Sequence, residues 1–366
     1  MRELVDGLFR NIPSGVGSHR KDLRLSEPEL QQVLKRGAGW AMAQGYGSAR
    51  DLEHIEEGGC LQGAQAEMVS ARALERGRSQ LGSLGSGNHF VEVDYVAEVY
   101  DEPVANALGL SLDQITVTIH TGSRGLGYQV CDDYLKVMQQ ATAKYGISVP
   151  DRQLCCAPLT SPEAHEYIGA MYSAANFAFA NRQFVTHWVR ETFEQVLRRP
   201  PKDLRLEVIY DVCHNIGKFE THVVHGQPRR LCVHRKGATR ALPPGHAQLP
   251  EIYRHLGQPV LIPGDMGRYS YVLIGTQQGS EETFASSCHG AGRMLSRTQA
   301  KKNARGRPIV RELEDRGIFV RSAGRATLME EIPEAYKDVR EVVDVVDGAG
   351  ISKKVAQLRP MGVIKG

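Results

Sequence analysis

Apolar positions recur at helical spacing in the first part of the chain and in short runs after residue 200. Ser26-Glu27-Pro28-Glu29 predicts a helix start, with Ser26 as the cap and acidic residues in the first turn. Ser161-Pro162-Glu163 opens the longest predicted helix, which extends to about Arg199 and is stopped by two prolines. A shorter helix is predicted over residues 69–76. The first 80 residues are therefore expected to form helices and loops.

Short apolar or alternating runs predict strands at residues 90–96, 115–119, 206–210, 231–234, 260–262 and 271–274. Residues 290–305 predict a further helix. Residues 355–364 predict a last extended segment, in which Pro360 favours a position at the edge of a sheet. Helices and strands follow in mixed order rather than in regular βαβ units, so the predicted fold class is α+β, as a single large domain around a central cleft.

Composition narrows the class of protein. The 366 residues are 41% hydrophobic and 24% charged, as in an ordinary soluble globular protein. A net charge of +3 excludes a histone-like polycation but leaves room for a local basic groove that binds nucleic acid. No apolar run reaches the roughly 20 residues that cross a bilayer. Seven cysteines without a CxxC pair, and a first segment without an apolar leader, predict free thiols in the cytoplasm.

Four histidines occur in an unusual setting. His89 follows a glycine-rich turn, His120 and His214 follow strand-like runs, and His289 stands at the start of the predicted helix. Strand ends and glycine turns project side chains into clefts, and imidazole suits Zn, Mn, Fe and Cu. A single histidine is more often a satisfied or surface residue. The shared setting favours one composite metal or catalytic site, and the absence of zinc-ribbon or HExxH spacing disfavours structural zinc.

Anion binding is a second theme of the sequence. Gly290 and Gly292 allow close backbone approach after His289, and Arg293 would share its helical face. His289 could then ligate a metal or attack phosphorus, whereas the alternative is an ordinary helix start. Residues 122–127 form a glycine-arginine loop that matches neither a P-loop nor a Rossmann turn. Basic residues at 234–240 and 297–307 indicate either a path for a polyanion or a solvated face.

These segments together resemble the RtcB family of RNA-splicing ligases. The resemblance implies an enzyme that uses GTP and two Mn²⁺ ions to join an RNA 2′,3′-cyclic phosphate or 3′-phosphate end to a 5′-hydroxyl end. It implies a covalent histidine–GMP intermediate, a role in tRNA splicing or RNA repair, and partners that are RNA, GTP and an activating protein, without a membrane. The segments that carry it are residues 80–92, 120–127, 211–218, 233–241, 262–272, 288–297, 333–338 and 359–366.

Carried over residue by residue, the resemblance makes His289 the guanylylated histidine. It makes His89, His120 and His214 manganese ligands. The implied guanylate contacts are Asn88, His89, Phe90, Val91, Glu92, His214, Asn215, Pro263, Gly264, Asp265, Met266, Ser270, His289, Gly290, Ala291, Gly292 and Lys365. Asp265 stands where other members can carry serine, and since both accept a hydrogen bond from guanine, little change in nucleotide choice is expected.

One departure from the family pattern is large. The family carries an upstream Asp-x-Gly-Cys-Gly-Met segment whose Asp and Cys are metal ligands, and residues 1–366 do not contain it. The expected RtcB-like domain is therefore incomplete at its N-terminus, with three of five metal ligands, weak manganese binding and exposed apolar surface. Cys60 imitates the spacing of the cysteine in that motif, but it lies in a segment that resembles a part of the family without metal ligands. Two alternatives stay open: a non-catalytic guanylate- or RNA-binding remnant, and a metal-dependent phosphoesterase.

Overall fold

The computed structural model describes residues 1–20, 22–151 and 153–366. The helices are α1 (Arg2–Asn11), α2 (Glu27–Arg36), α3 (Ala38–Ala43), α4 (Ala49–Glu53), α5 (Ala71–Gly77), α6 (Glu102–Ala107), α7 (Arg124–Lys144), α8 (Pro162–Leu197), α9 (Pro201–Leu204), α10 (Gln277–Thr283), α11 (Arg297–Ala304), α12 (Ile309–Glu314), α13 (Arg325–Glu330) and α14 (Val339–Gly348). The strands are β1 (Phe90–Val99), β2 (Ile115–His120), β3 (Asn215–Val224), β4 (Gln227–Lys236), β5 (Ala238–Arg240), β6 (Pro259–Ile262), β7 (Ser270–Gly275), β8 (Ser286–Cys288), β9 (Phe319–Ser322) and β10 (Ser352–Lys365). The mixed order confirms the α+β prediction.

A helical layer is built around α8, which is 36 residues long. The Ser161 hydroxyl caps it by accepting a hydrogen bond from the Ala164 amide at 3.2 Å, as predicted. Phe177, Phe179 and Phe184 on α8 are fully buried, and α1, α2, α3 and α7 pack around this helix. The predicted cap at Ser26 is also confirmed, since the Ser26 amide donates to the Glu29 carboxylate at 2.7 Å in a capping box. The helix predicted at residues 69–76 is α5.

The main sheet has the order β2-β1-β10-β7-β6, with β9 beside one end of β10. Pairing is antiparallel except between β9 and β10. Phe90 is opposite His120 on one side and Lys365 on the other, so the three residues form one row across the sheet. Because opposite residues in a ladder point to the same face, a histidine and a lysine from distant parts of the chain face the same way.

The predicted edge position of Pro360 is wrong, because β10 is a central strand. β7 pairs with β10 up to Leu358, and β9 pairs with it from Gly362 onward, so Pro360 falls between these two neighbours. On the β1 side the register shifts at the same point, where Val93 pairs with Gly362 and Asp94 with Pro360. A residue without an N–H is tolerated at such a bulge in the middle of a sheet.

Two further predictions are corrected. Residues 206–210 form irregular chain rather than a strand, because side chains take up their carbonyls: Arg190 donates to the Leu206 carbonyl at 2.8 Å, and the Tyr253 hydroxyl donates to that of Ile209. The helix predicted at residues 290–305 is present only as α11, since residues 289–296 are mostly loop. The long helix α7 and the β3–β4 hairpin were not predicted as units. Within the described chain, no helix is long and apolar enough to cross a membrane.

Candidate active site

Four histidines from four distant segments meet at the row of the sheet that Phe90, His120 and Lys365 form, and His120 is itself one of the four. Ring centroids are 5.7 Å apart for His89 and His120, 5.2 Å for His120 and His214, and 4.6 Å for His214 and His289. His89 directly precedes β1, His120 ends β2, His214 directly precedes β3 and His289 directly follows β8. The single composite site expected from the sequence is therefore present as a contiguous chain of imidazoles.

Asn181 of α8 ties together the two loops that carry His89 and His120. Its side-chain carbonyl accepts from the Ser83 amide at 3.1 Å, and its amide donates to the carbonyls of Ser83 and Gly122 at 3.1 and 3.0 Å. Gly85 is needed in the first loop, because a Cβ there would lie 2.0 Å from Nδ1 of His89. The helical layer thus positions this half of the site directly.

Gly237 positions the other half. Its amide donates to the His214 carbonyl and to the Asn215 side chain, both at 3.0 Å. Its φ of +66° lies in the left-handed region, and a Cβ would stand 3.2 Å from Cε1 of His289. The His214 and His289 rings are stacked with an interplanar angle of 11°. The nitrogen lone pairs of two stacked rings lie in parallel planes, so His214 and His289 do not converge on one ion in this arrangement.

Burial keeps the four imidazoles neutral. It lowers the pKa of His89 to about 3 and that of His214 to about 3, with further lowering by Arg124 and Lys365 at His89 and by His289 and Arg182 at His214. Burial also lowers the pKa of His120 well below its usual range and, to a smaller extent, that of His289. A neutral imidazole has a free lone pair at pH 7, which is required both of a metal ligand and of a nucleophile.

A buried acidic pair and a buried lysine border the histidines. Glu92 and Asp94 point to the same face of β1 and are almost inaccessible to solvent. Burial, followed by the neighbouring Asp94, raises the pKa of Glu92 well above its usual range. The Lys365 ammonium lies 3.4 Å from the Glu331 carboxylate and 5.3 Å from the centre of the Phe90 ring. The structure therefore places Lys365 inside the site, although it stands near the end of the sequence.

The residues singled out between β6 and β7 adjoin the histidines through the backbone. The Ala291 amide donates to the Pro263 carbonyl at 3.3 Å, which holds the segment after His289 against this loop. Ser270 accepts from the Gly264 amide at 3.4 Å. The Asp265 carboxylate accepts from the Gly267 amide at 2.9 Å and from Arg268 at 2.5 Å, and its two oxygens keep lone pairs for a further donor.

The remaining predicted guanylate contacts differ in solvent exposure, and therefore in which of their atoms a ligand could reach. Asn88 is exposed, next to His89, and Asn215 is exposed, next to His214. Val91 and Met266 are buried in two different apolar clusters, so only their backbone is available to a ligand. In the segment after His289, Gly290 is half-buried, Ala291 is buried and Gly292 is exposed.

The predicted anion grip of Arg293 is wrong. His289 does not begin a helix, so Arg293 shares no helical face with it. The Arg293 guanidinium instead donates to the Glu331 carboxylate at 3.0 Å and to the Glu330 carbonyl at 2.7 Å. The Arg124 guanidinium of the glycine-arginine loop is likewise bound within the protein, since it donates to the Ser83 hydroxyl at 3.0 Å and to the Gly15 carbonyl at 3.1 Å. Sequence spacing could not show these partners, because they come from distant segments.

Arg182 was missed by the sequence analysis. It donates to the Asp211 carboxylate at 2.6 Å and to the Thr121 carbonyl at 3.2 Å, and so links the segments that carry His120 and His214. Its Nη2 has no hydrogen-bond partner among the residues that the structure describes. A cavity of about 650 Å³ lies here, lined in part by Arg182, His120, His214 and His289. The sequence signal that could have indicated Arg182 is a charged residue within an otherwise apolar stretch of the longest helix.

The donor chemistry of His89, His120 and His214 suits a transition metal, since all three are neutral nitrogen donors in contact. These three side chains do not form a complete metal site, however. Among the residues described, no three His, Cys, Asp or Glu side chains converge closely enough to enclose an ion. The seven cysteines are free thiols in the described chain, and Cys60 donates to the Lys35 carbonyl at 3.2 Å.

Comparison with known proteins gives consistent matches. A family model described as "tRNA-splicing ligase RtcB" matches residues 1–366. Proteins named tRNA-splicing ligase RtcB are 56% identical in Archaeoglobus fulgidus, 56% in Pyrococcus furiosus and 55% in Thermococcus kodakarensis, each over the whole of this chain. The chain spans 76% of the length of the Archaeoglobus and Thermococcus proteins and 38% of that from Pyrococcus furiosus.

Proposed function

The chain belongs to the RtcB family of tRNA-splicing ligases, and on that premise we propose that it acts with GTP and Mn²⁺ through a covalent histidine–GMP intermediate on His289. The reaction would join an RNA 2′,3′-cyclic phosphate or 3′-phosphate end to a 5′-hydroxyl end, in tRNA splicing or RNA repair. The observation that carries the proposal is a neutral, half-exposed imidazole at the wall of a large cavity, in contact with a chain of three others.

His289 is the best placed of the four histidines to act as nucleophile. It is the least enclosed of them, and its stacking on His214 together with the contact at Gly237 fixes the plane of the ring. A neutral ring needs no general base to expose its lone pair. Fixing the ring in advance removes part of the entropy cost of reaching the transition state.

One His289 ring nitrogen attacks the α-phosphorus of GTP, a P–N bond forms, the P–O bond to the β-phosphate breaks and pyrophosphate leaves. An oxygen of the RNA 3′-phosphate attacks the same phosphorus, and the P–N bond returns its electron pair to the imidazole. The 5′-hydroxyl oxygen then attacks the phosphorus of the activated 3′-phosphate, its proton passes to solvent, the bond from that phosphorus to the GMP oxygen breaks, and GMP leaves. A cyclic end must first be opened by water to the 3′-phosphate.

His89, His120 and His214 are the proposed manganese ligands. Bound Mn²⁺ would offset the charge of the triphosphate and orient the leaving group. The chain itself supplies neutral imidazoles held by Asn181, Thr121 and Gly237, and the Thr121 hydroxyl lies 3.3 Å from Nδ1 of His89. Such outer contacts fix the ring orientation of a ligand histidine.

The guanylate is proposed to lie between the histidines and the loop that joins β6 to β7. Lys365 adds positive charge to this region, and the exposed Asn88 and Asn215 side chains add polar surface. The proposed contacts are those that the resemblance implies: Asn88, His89, Phe90, Val91, Glu92, His214, Asn215, Pro263, Gly264, Asp265, Met266, Ser270, His289, Gly290, Ala291, Gly292 and Lys365. For Val91 and Met266 the contact would have to be through the backbone.

The test is guanylylation of the protein. After incubation with Mn²⁺ and GTP labelled at the α-phosphate, we expect label that survives a denaturing gel, is stable to alkali and is lost in acid. His289→Ala should remove the label completely, whereas His165→Ala, at an exposed histidine on the first turn of α8, should retain it.

The same assay separates the alternatives. Nucleotide held without a covalent bond would support a guanylate-binding protein instead. Release of phosphate with no label on the protein would support a phosphoesterase. Covalent label that persists in His289→Ala would refute the role given to this residue.

A further inference from the structure

One face of the β3–β4 hairpin carries an exposed row of basic side chains that starts beside the histidine site. Lys236, His234 and Arg230 alternate along β4, so they point to the same side of the hairpin, and all three are exposed. Lys236 pairs with Asn215 across the hairpin and directly precedes Gly237, whose amide donates to the His214 carbonyl at 3.0 Å and where a Cβ would stand 3.2 Å from the His289 ring. The row therefore begins at the proposed catalytic histidine and leads away from it.

The buried basic side chains on the opposite face of the hairpin are already neutralised. Arg235 is bound to the Glu220 carboxylate at 2.6 Å, and Lys218 to the Glu56 carboxylate at 2.9 Å. His222 contacts Glu220 at 2.9 Å. Within the described parts of the chain, the ion pairs of this hairpin all involve that inner face. The basic residues at 234–240 therefore fall into two groups, which are buried side chains held in ion pairs and exposed side chains of the outer row.

The tip of the row is held in place. The Arg230 guanidinium lies 5.2 Å from the centre of the Phe219 ring, which comes from the neighbouring strand on the same face. Phe219 is only half-buried, so this contact orients Arg230 without removing it from solvent. An ordered arginine loses less entropy on binding a phosphate than a free one would.

From these observations, and resting on the proposed function, we infer that the outer face of the β3–β4 hairpin binds the phosphates of single-stranded RNA next to the end being joined. Alternate residues of a strand are about 7 Å apart, comparable to successive phosphates of an extended single strand. From Lys236 to Arg230 the row measures about 20 Å on the same basis. It is one cation wide, which fits one strand better than a duplex. A positive track beside an aromatic ring is typical of sites for single strands.

The chain offers a matched control for the test. Arg229 and Arg230 are adjacent, both exposed and both near the tip, but they point to opposite faces of the hairpin. Binding of a 12-nucleotide single-stranded RNA that ends in a 3′-phosphate would be measured at several salt concentrations for Arg230→Gln, Arg229→Gln and Arg230→Lys.

Loss of one phosphate contact reduces the slope of log affinity against log salt by about 0.7 for a single strand, which is about fivefold in affinity at 0.1 M salt. We expect this change in Arg230→Gln only, with Arg230→Lys and Arg229→Gln close to wild type. A two-nucleotide RNA, too short to reach Arg230, should bind wild type and Arg230→Gln equally.

Equal effects of Arg229→Gln and Arg230→Gln, or no effect of Arg230→Gln on the longer RNA, would overturn the inference. Guanylylation by GTP alone does not use the hairpin face and should be unchanged in both variants, which also shows that they are folded. If wild type fails to guanylylate, the proposed function fails, and the comparison of salt slopes still decides whether the hairpin binds RNA.

Discussion

The helical layer around α8 and the histidine site differ in how they are held together. The helical layer buries large apolar side chains such as Phe177 and Phe184, and its helix ends are closed by neighbours in sequence. The site buries imidazoles, carboxyls and an ammonium, and several contacts from distant segments hold it together, such as Asn181 with the Ser83 loop and Glu331 with Lys365. Stability and chemistry therefore depend on different residues, which variants can separate.

The largest separation is expected from a core truncation. Phe184→Ala removes a fully buried ring from the helical layer and should lower the free energy of unfolding by about 3–5 kcal/mol. Guanylylation per folded molecule, measured at low temperature, should be close to wild type. His289→Ala should do the reverse, with unfolding in urea almost unchanged and no label. A strong loss of stability in His289→Ala would show that the two regions are not separable.

Two buried asparagines on α8 sharpen the comparison. Asn181 bonds the loops that carry His89 and His120, whereas Asn176 bonds Leu61 and Leu34 in the helical layer. Either change to alanine leaves buried backbone groups unpaired and should cost about 1–3 kcal/mol each in urea denaturation. Only Asn181→Ala should also reduce the rate of guanylylation. Equal rates in the two variants would mean that Asn181 does not position the histidines.

Two glycines with similar backbone angles give a smaller, local test. Gly237 has φ +66° and Gly146 has φ +62°, but a Cβ meets His289 only at Gly237. Both changes to alanine should cost about 1 kcal/mol of stability because of the left-handed backbone. Gly237→Ala should in addition slow guanylylation by displacing the His289 ring, and Gly146→Ala should not. Similar rates would remove Gly237 from the positioning of the site.

The last expected effect concerns pH. Burial raises the pKa of Asp94 from 3.8 to about 6, although hydrogen bonds from Glu92 and Thr118 act in the opposite direction. A carboxyl with a raised pKa binds more protons when folded, so its contribution to stability falls as pH rises from about 4 to about 6 and is constant above that. Asp94→Asn should remove this decline, seen as a smaller difference between urea midpoints at pH 4.5 and 7.5.

Asp315→Asn is the control for that change, since Asp315 is exposed at the end of α12. It should leave the pH dependence as in wild type. An unchanged pH profile in Asp94→Asn would mean that the carboxyl titrates normally despite its burial.

Elements governed by local rules could be predicted from the sequence. The caps at Ser26 and Ser161 and the apolar spacing of α8 depend on residues close together in the chain, and these predictions are confirmed. Pro360 was misplaced because its tolerance depends on where β7 ends and β9 begins, which are long-range facts. Residues 206–210 were misassigned because side chains of Arg190 and Tyr253 replace a neighbouring strand.

The sequence indicated which histidines come together at the site, but it did not indicate the hydrogen-bond partners of the residues around them. Histidines at strand ends and glycine turns indicated a composite centre, and the four do come together. Arg293 looks available in sequence, yet its guanidinium is bound to Glu331, a partner that only the fold supplies. The ligand and guanylate roles themselves stay predictions, since they depend on the bound state.

The central place of β10 in the sheet has a consequence for biosynthesis. β2 follows β1 closely in the chain, but the other edge of β1 must wait until β10 has been translated, which at about 5–20 residues per second takes roughly ten seconds to a minute. During that interval the growing polypeptide exposes unpaired strand edges outside the ribosome. A nascent chain with this topology is the kind of client that a holding chaperone would be expected to shield.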